Sequence, residues 1–227
     1  MRRPMCAAFQ SVATLWRKSP TGHVDGEALF EEWVRRHCLK YQRHHEVRPG
    51  NVDFLIHFRT LSVYCDVKEV RDSAEPSGSN IDADGHIRSD IRKLRSKFKA
   101  RPDLPVLLVT MNFSSNFFTA LTVARAMLGE IGVHFNRETL EILKPVHHLR
   151  NGNASLTSGQ NRSISGVLVW TGRRQRHTLL LSPFAERPLD GALFPETDVV
   201  SLDRGASPEV IRVLSERMFW PLEQSET

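Results

Sequence analysis

Two neighbouring apolar stretches carry three charged residues, and together they most constrain what this chain of 227 residues can fold into. Residues 51–58 and 61–70 are rich in β-branched and aromatic residues, and the link between them is short enough for a hairpin loop. They predict two adjacent strands. The first carries Asp53, and the second carries Asp66 and Lys68.

Side chains alternate between the two faces of a strand, so Asp66 and Lys68 share one face, about 7 Å apart. If strand pairing brings Asp53 beside them, two carboxylates converge where an oxygen-binding cation such as Mg²⁺ can be held. Charged side chains inside apolar strands are costly to bury unless they have an ion-pair partner or a functional role. The pattern therefore predicts a metal-dependent phosphodiesterase site. The alternative is a structural ion pair of Lys68 with either acid.

Composition limits the class of protein. A 40% hydrophobic content at this length suffices for one good core, so residues 1–227 are expected to form a single domain. The net charge of +5 favours a polyanionic partner without requiring one. Cys6, Cys38 and Cys65 are scattered and odd in number, so we expect no disulfides and a reducing compartment, the cytoplasm. We find no export signal and no apolar run long enough for a membrane span.

Hydrophobic periodicity predicts the elements around the two strands. Helices are expected at 21–40 with Asp25 as N-cap, at 86–100, at 116–129 and from Ser207 onwards. Further strands are expected at 104–110, buried, central and parallel to a neighbour, and in a hairpin at 166–170 and 177–181. Loops are expected at 72–85, mobile and beside the site, and at 151–165, disordered. This order predicts an α/β fold with a mixed central sheet flanked by helices.

The charged residues on these elements form a recognisable pattern. Glu27 on the first helix, Asp53 on one strand and Asp66-Val67-Lys68 on the next resemble the PD-(D/E)xK nucleases, the restriction-endonuclease-like superfamily. Within it, the pattern is most similar to the Holliday-junction resolvase type, over about residues 22–112. Three features depart from the commonest pattern: Val52 stands in place of Pro, Asp66 in place of Glu, and no obvious glycine ends the first helix. They leave the subfamily open.

The resemblance implies a fold and an activity. The fold would be an αβββαβ core at residues 22–135, followed by an extension of unknown role at 136–227 that contains the hairpin and the last helix. The activity would be that of a Mg²⁺-dependent nuclease that hydrolyses DNA, with Mn²⁺ able to replace Mg²⁺. A catalytically inactive nuclease-fold protein that binds nucleic acid or acts in an assembly is the alternative. An RNA-directed nuclease is a third reading, and homodimer formation stays open.

The resemblance also implies roles for individual residues. Asp53 and Asp66 would ligate the metal together with the backbone carbonyl of Val67, and Lys68 would orient or activate the attacking water. The helical acid would be Glu27, with Glu31 one turn later as the alternative. Clustered carboxylates repel one another in the absence of metal, so at least one should bind its proton more tightly.

Two groups of basic residues are candidates for contact with a nucleic-acid backbone. The group on the helix at 86–100 comprises Arg88, Arg92, Lys93, Arg95, Lys97 and Lys99. The group at the tip of the hairpin comprises Arg173, Arg174 and Arg176. A solvated surface is the alternative for both groups, and the helix could also lie on an acidic membrane. In the family a polar residue of this helix often assists at the site, and Lys93 and Lys97 are the candidates.

Two histidine pairs suggest metal binding less strongly. His44-His45 and His147-His148 are not accompanied by the spacing of a zinc motif, so we do not expect zinc. His44 and His45 are expected in the loop that leads to Asp53, where they could contact the substrate.

Overall fold

The computed structural model describes residues 25–47, 50–71, 83–98, 102–114, 118–132, 136–139, 146–148, 154–170, 177–202, 205–206 and 218–219. The α-helices in these ranges are α1 (Gly26–Arg36), α2 (Ala83–Ser96) and α3 (Ala120–Leu128). The strands are β1 (Lys40–Val47), β2 (Gly50–His57), β3 (Ser62–Val70), β4 (Val106–Asn112), β5 (Phe118–Thr119), β6 (Ile131–Gly132), β7 (Val146–His148), β8 (Ile164–Trp170), β9 (His177–Leu181), β10 (Thr197–Ser201), β11 (Gly205–Ala206) and β12 (Met218–Phe219).

Seven strands form one mixed sheet in the order β1-β2-β3-β4-β8-β9-β10. β4 lies at its centre and runs parallel to both β3 and β8, whereas β2 is antiparallel to both β1 and β3. Every residue of β4 is buried, as its continuous apolar composition requires. The predicted α/β class and the central parallel strand are therefore confirmed, although β4 begins and ends two residues later than predicted.

Helices cover both faces of this sheet. Phe30 of α1 packs edge-on against Phe54 of β2, in a buried cluster that includes Cys65 and Val67 of β3. The buried side chains of α2 and α3 lie in a second cluster, which includes Tyr64 of β3. Because side chains alternate along β3, the residues that follow Cys65 and Val67 point to the face that α2 and α3 cover.

The first helix is shorter than predicted. The side chain of Asp25 accepts a hydrogen bond from Glu27 N at 2.9 Å, which confirms Asp25 as the N-cap. Phe30, Trp33 and Val34 are buried on the inner side. The helix ends at Arg36, whereas the predicted helix continues to residue 40, and Cys38 is exposed with a φ of 54°.

The other two described helices also differ from their predicted limits. α2 begins at Ala83 and ends at Ser96, so it starts and ends earlier than the predicted helix at 86–100. α3 begins at Ala120 instead of 116, because Thr119 caps it by accepting a hydrogen bond from Thr122 N. α2 buries Ile87, Ile91 and Leu94 of its apolar stripe, and Phe98 is buried just after the helix ends. α3 buries Ala124 and Leu128 and partly buries Leu121.

Two segments that were predicted as loops contain ordered structure. His44 and His45 lie in strand β1 at the edge of the sheet, instead of in the loop that we predicted. Residues 154–163 are irregular but not disordered, since Leu156 is 1% exposed and its N donates to Met127 O at 2.7 Å. β8 then begins at Ile164, two residues before the predicted start.

The predicted hairpin is confirmed, because β8 and β9 pair antiparallel. β8, β9 and β10 belong to the segment 136–227, and they extend the same sheet as the strands of the predicted core. The tip of the hairpin, with Arg173, Arg174 and Arg176, lies outside the described residues, as do Lys99, residues 207–217 of the last predicted helix and most of the loop at 72–85. Met218, which was expected in that helix, lies in strand β12.

Two expectations from composition concern the membrane and the cysteines. In the described ranges, no helix combines the length and the apolarity that crossing a bilayer requires. Cys65 is a free, fully buried cysteine. The expectation that the chain has no disulfides stays a prediction, since Cys6 lies outside those ranges.

We expect the burial of His177, the first residue of β9, to make the stability of the fold sensitive to acid. His177 is 1% exposed and stacks on Trp170, with 3.7 Å between ring centroids. Burial lowers its pKa from 6.5 to about 3, and Arg36 and His37 act in the same direction. The unfolded chain therefore binds this proton from pH 6.5 downwards whereas the folded chain does not until about pH 3, so stability falls as pH falls through that window.

We expect His177→Phe to reduce this acid sensitivity. Between about pH 7.5 and about pH 5.5, the wild type should lose about 1.4 kcal/mol more of its free energy of unfolding than the variant. Urea denaturation at the two pH values measures the difference. An equal loss in both proteins would show that His177 is not the group responsible.

Candidate active site

β2 and β3 bring Asp53, Asp66 and Lys68 together on the face of the sheet that α2 covers. The ladder between the two antiparallel strands pairs Phe54 with Cys65. Asp53 and Asp66 follow in this register, so their side chains oppose each other, and Lys68 lies two residues along β3 on the same face. Lys68 Nζ lies 2.7 Å from Asp66 Oδ2 and 3.6 Å from Asp53 Oδ2.

The backbone of Val67 fixes two of these side chains. Val67 N donates a hydrogen bond to Asp53 Oδ2 at 2.7 Å, and Val67 O accepts one from Lys68 Nζ at 2.9 Å. The Val67 carbonyl, which the resemblance predicts as a metal ligand, therefore accepts a hydrogen bond from Lys68. Held from both sides, the Asp53 carboxylate and the Lys68 ammonium have restricted freedom to rotate.

Lys97 is a fourth member of this cluster, and it comes from the turn after α2. Its Nζ donates to Asp66 Oδ1 and lies 4.0 Å from Asp53 Oδ1. Its backbone carbonyl accepts a hydrogen bond from Gly50 N at 3.2 Å, which anchors the turn to the first residue of β2. We predicted Lys97 as a backbone contact or a helper at the site. The structure places its ammonium group between the two carboxylates.

The four side chains form a pattern in which each ammonium faces one oxygen from each carboxylate. Lys68 faces the two Oδ2 atoms, and Lys97 faces the two Oδ1 atoms. The Asp66 side chain is fully buried, whereas the other three are 13–25% exposed. When all four groups are ionised, their charges sum to zero.

Burial and the neighbouring acid raise the pKa of Asp53 above its ordinary value, although Lys68 and Lys97 act in the opposite direction. This direction agrees with the expectation that one of two clustered carboxylates binds its proton more tightly. Burial alone would lower the pKa of Lys68, but Asp66 and Asp53 outweigh burial and raise it. Lys68 therefore stays an ammonium at neutral pH, able to donate to a phosphate oxygen.

The helical acids Glu27 and Glu31 lie apart from this cluster, bonded to Arg43 of β1. Arg43 Nη2 is 2.8 Å from Glu27 Oε2, and Arg43 Nη1 is 3.1 Å from Glu31 Oε2. Glu31 also accepts a hydrogen bond from Tyr41 Oη at 2.5 Å. Neither acid joins Asp53 and Asp66 in a metal-binding group among the described residues.

The predicted basic face of α2 is only partly available as a surface. Arg88 lies 3.9 Å from Asp84, and Arg95 donates to Phe98 O at 2.9 Å, near the end of the helix. The side chains of Arg92 and Lys93 are exposed. Within the described part of the set, these two are the most accessible to a nucleic acid.

One residue of β1 opposite Asp53 has an unusual backbone conformation. His44 lies between the pairs Arg43–Phe54 and His45–Val52, in register with Asp53, and its φ of 48° is in the left-handed region. The register of the two strands is the same on both sides of His44.

The cluster fits a divalent cation in its chemistry. Carboxylate oxygens are the ligands that Mg²⁺ and Mn²⁺ prefer, and Asp53 and Asp66 offer them from facing side chains. Asp66 Oδ2 is buried, and its described partner is the Lys68 ammonium at 2.7 Å. No group of three or more His, Cys, Asp or Glu residues in the described ranges could hold a metal. Water or phosphate oxygens would therefore complete the coordination shell.

Comparisons of the chain with family models, with curated proteins and with solved structures found no match. The functional conclusion therefore depends on the geometry and charge of the cluster formed by Asp53, Asp66, Lys68 and Lys97.

Proposed function

We propose that the protein is a Mg²⁺-dependent nuclease that hydrolyses phosphodiester bonds in DNA by the attack of water. The observation that carries this proposal is the meeting of Asp53, Asp66 and Lys68 on two adjacent strands, with Lys68 Nζ 2.7 Å and 3.6 Å from the two carboxylates. Two carboxylates can hold a hard cation, and an adjacent ammonium can stabilise charge on a phosphate.

The chain's own residues would divide the chemistry between them. A bound Mg²⁺ would supply Lewis-acid polarisation of a phosphoryl oxygen and acidify a water molecule. Asp53, held by Val67 N, and the buried Asp66 would hold the cation. Lys68, held by Val67 O, would donate to the phosphate or to the attacking water. Because these contacts orient the groups in advance, little reorganisation would be needed during the reaction.

The element order supports a restriction-endonuclease-like core as part of this proposal. The chain runs α1-β1-β2-β3-α2-β4, which is the αβββαβ order that the resemblance to PD-(D/E)xK nucleases implies. Asp53 lies on the second of these strands and Asp66-Val67-Lys68 on the third. The net charge of +5 and the exposed Arg92 and Lys93 favour a polyanionic substrate.

One observation favours a second candidate, an inactive nuclease-fold protein that binds nucleic acid. The two acids and two lysines of the cluster compensate one another in charge, as they would in a structural ion-pair network. Such a protein would bind DNA through its basic surface in the presence of a chelator. It would cleave no substrate.

A cleavage assay separates these candidates. Plasmid, linear and branched DNA, and RNA of the same sequence, are incubated with the protein in Mg²⁺, in Mn²⁺ or in a chelator. We expect cleavage of DNA with either metal and none with the chelator. DNA binding without cleavage under every condition would favour the second candidate, and preferential cleavage of RNA would change the substrate class.

Asp53→Asn should lower the cleavage rate by about a hundredfold or more, because an amide is a poor replacement for an anionic metal ligand. The matched control is Asp90→Asn, which makes the same substitution on the helix that covers the site. That variant should cleave at nearly the wild-type rate. Equal rates in all three proteins would remove Asp53 from the proposed mechanism.

A further inference from the structure

We propose that Lys97 is an exchangeable counter-ion of the Asp53–Asp66 pair, and that a divalent cation binds this pair by displacing the Lys97 ammonium. The proposal rests on the nuclease function for the nature of the cation. It goes beyond that function by assigning to Lys97 control over how tightly the cation binds.

The two sides of the carboxylate pair differ in how many hydrogen bonds hold the groups in place. On the Oδ2 side, Asp53 accepts the hydrogen bond of Val67 N at 2.7 Å, and Lys68 is tied to Val67 O at 2.9 Å. On the Oδ1 side, the described contacts of the Lys97 ammonium are with the two acids alone. A cation that bridges both acids therefore meets less resistance on the Oδ1 side.

Lys97 and such a cation would compete for the same space. Lys97 Nζ is hydrogen-bonded to Asp66 Oδ1 and lies 4.0 Å from Asp53 Oδ1. A Mg²⁺ ion lies about 2.1 Å from each oxygen ligand, so an ion held by both Oδ1 atoms would overlap the ammonium group. Two positive charges at that separation also repel strongly. The cation and Lys97 cannot occupy this position together.

The attachment of Lys97 allows its side chain to leave without unfolding the turn. Its backbone is fixed by Gly50 N, which donates to Lys97 O at 3.2 Å, and by its own N–H, which donates to Leu94 O at 3.2 Å. The side chain is 23% exposed and has four rotatable methylene groups, so it can swing towards solvent or a bound phosphate. The exchange therefore requires a side-chain rotation alone.

Direct measurement of Mn²⁺ binding tests the exchange without any cleavage step. Free Mn²⁺ is followed by electron paramagnetic resonance in the absence of nucleic acid, for the wild type, Lys97→Met, Lys97→Arg and Lys93→Met. We expect Lys97→Met to bind Mn²⁺ at least about tenfold more tightly, because the ammonium group that competes with the ion for the two carboxylates is removed. Lys97→Arg keeps the charge, and Lys93→Met removes a charge outside the cluster, so both should bind like the wild type.

Thermal melting with and without Mn²⁺ covers the case in which Lys97→Met folds poorly. The two carboxylates then repel each other, so Mn²⁺ should raise the melting temperature of Lys97→Met more than that of the wild type. An equal or smaller rise, or equal Mn²⁺ affinities, would overturn the proposal. If the wild type still cleaves DNA with Mg²⁺, the nuclease function stands. Absence of both Mn²⁺ binding and cleavage in the wild type would remove both proposals.

Discussion

Asp66→Asn is expected to lower the free energy of unfolding by about 3 kcal/mol. The Asp66 side chain is fully buried and contacts both Lys68 and Lys97. With an amide in its place, two ammonium groups share the single remaining carboxylate, and the cluster acquires a net positive charge. Both lysines are about one quarter exposed, so hydration of their ammonium groups offsets part of the lost stability. The expected value therefore lies at the lower end of the range for a broken buried ion pair. Urea denaturation at neutral pH measures it.

The control for this prediction is Asp90→Asn. Asp90 is also buried, but its partner Lys93 is exposed and 3.4 Å away. Burial raises the pKa of Asp90, so a neutral side chain is tolerated there, and we expect a change below about 1 kcal/mol. Similar losses for Asp66→Asn and Asp90→Asn would contradict the view that Asp66 is the central charge of the cluster.

A double variant tests whether the altered charge balance causes the loss of stability in Asp66→Asn. Lys97→Met added to Asp66→Asn returns the cluster to zero net charge. We therefore expect the double variant to lose less stability than the sum of the two single variants, by about 1 kcal/mol or more. Strict additivity would mean that packing, and not charge, determines the loss.

The central part of the site could be predicted from sequence because it depends on local rules. Asp66 and Lys68 share a face through strand alternation alone, and a short link makes β2 and β3 neighbours. The apposition of Asp53 with Asp66 follows from the register of one hairpin. The apolar stretch that became β4 is central for a similar reason, because continuous burial on both faces leaves a strong compositional signal.

Hydrophobic periodicity did not locate β1, because it is an edge strand with little apolar content. Its sequence, Lys40 to Val47, contains one buried residue, Val47, and six polar or charged side chains. Such a strand forms because β2 offers it hydrogen bonds, a tertiary cause that composition does not reveal. Because β1 was not located, Arg43, which forms ion pairs with Glu27 and Glu31, was not identified as their partner. Helical periodicity identified the buried face of α1, but it did not identify the partners of the acids beside it.

Lys97 was one of several basic residues on a helix, and sequence alone could not rank it. Its position between Leu94 and Phe98, both buried, is a weak signal that it lies near the inner side. Lys97 reaches the site because the turn after α2 contacts Gly50 at the start of β2. That contact joins segments almost fifty residues apart, so no local pattern encodes it.

Lys68→Met is expected to lower the turnover rate of DNA cleavage by about a thousandfold, with a smaller effect on substrate binding. Lys68 Nζ lies within 3.6 Å of both carboxylates and is fixed by Val67 O, so it is placed to act on the phosphate that the cation holds. Methionine has a similar length and apolar volume but carries no charge and no N–H. Cleavage under single-turnover conditions separates the chemical step from binding, and circular dichroism verifies the fold.

Lys93→Met is the matched control for this variant, since it removes the same charge from an exposed side chain that pairs with Asp90. It should cleave within about threefold of the wild type, with a weaker binding constant if Lys93 contacts the DNA backbone. A slow Lys68→Met beside a normal Lys93→Met would locate the catalytic charge on β3 and not on the basic surface. Equal slowing of both variants would instead indicate that the lysines act through general attraction of DNA, and the role proposed for Lys68 would be lost.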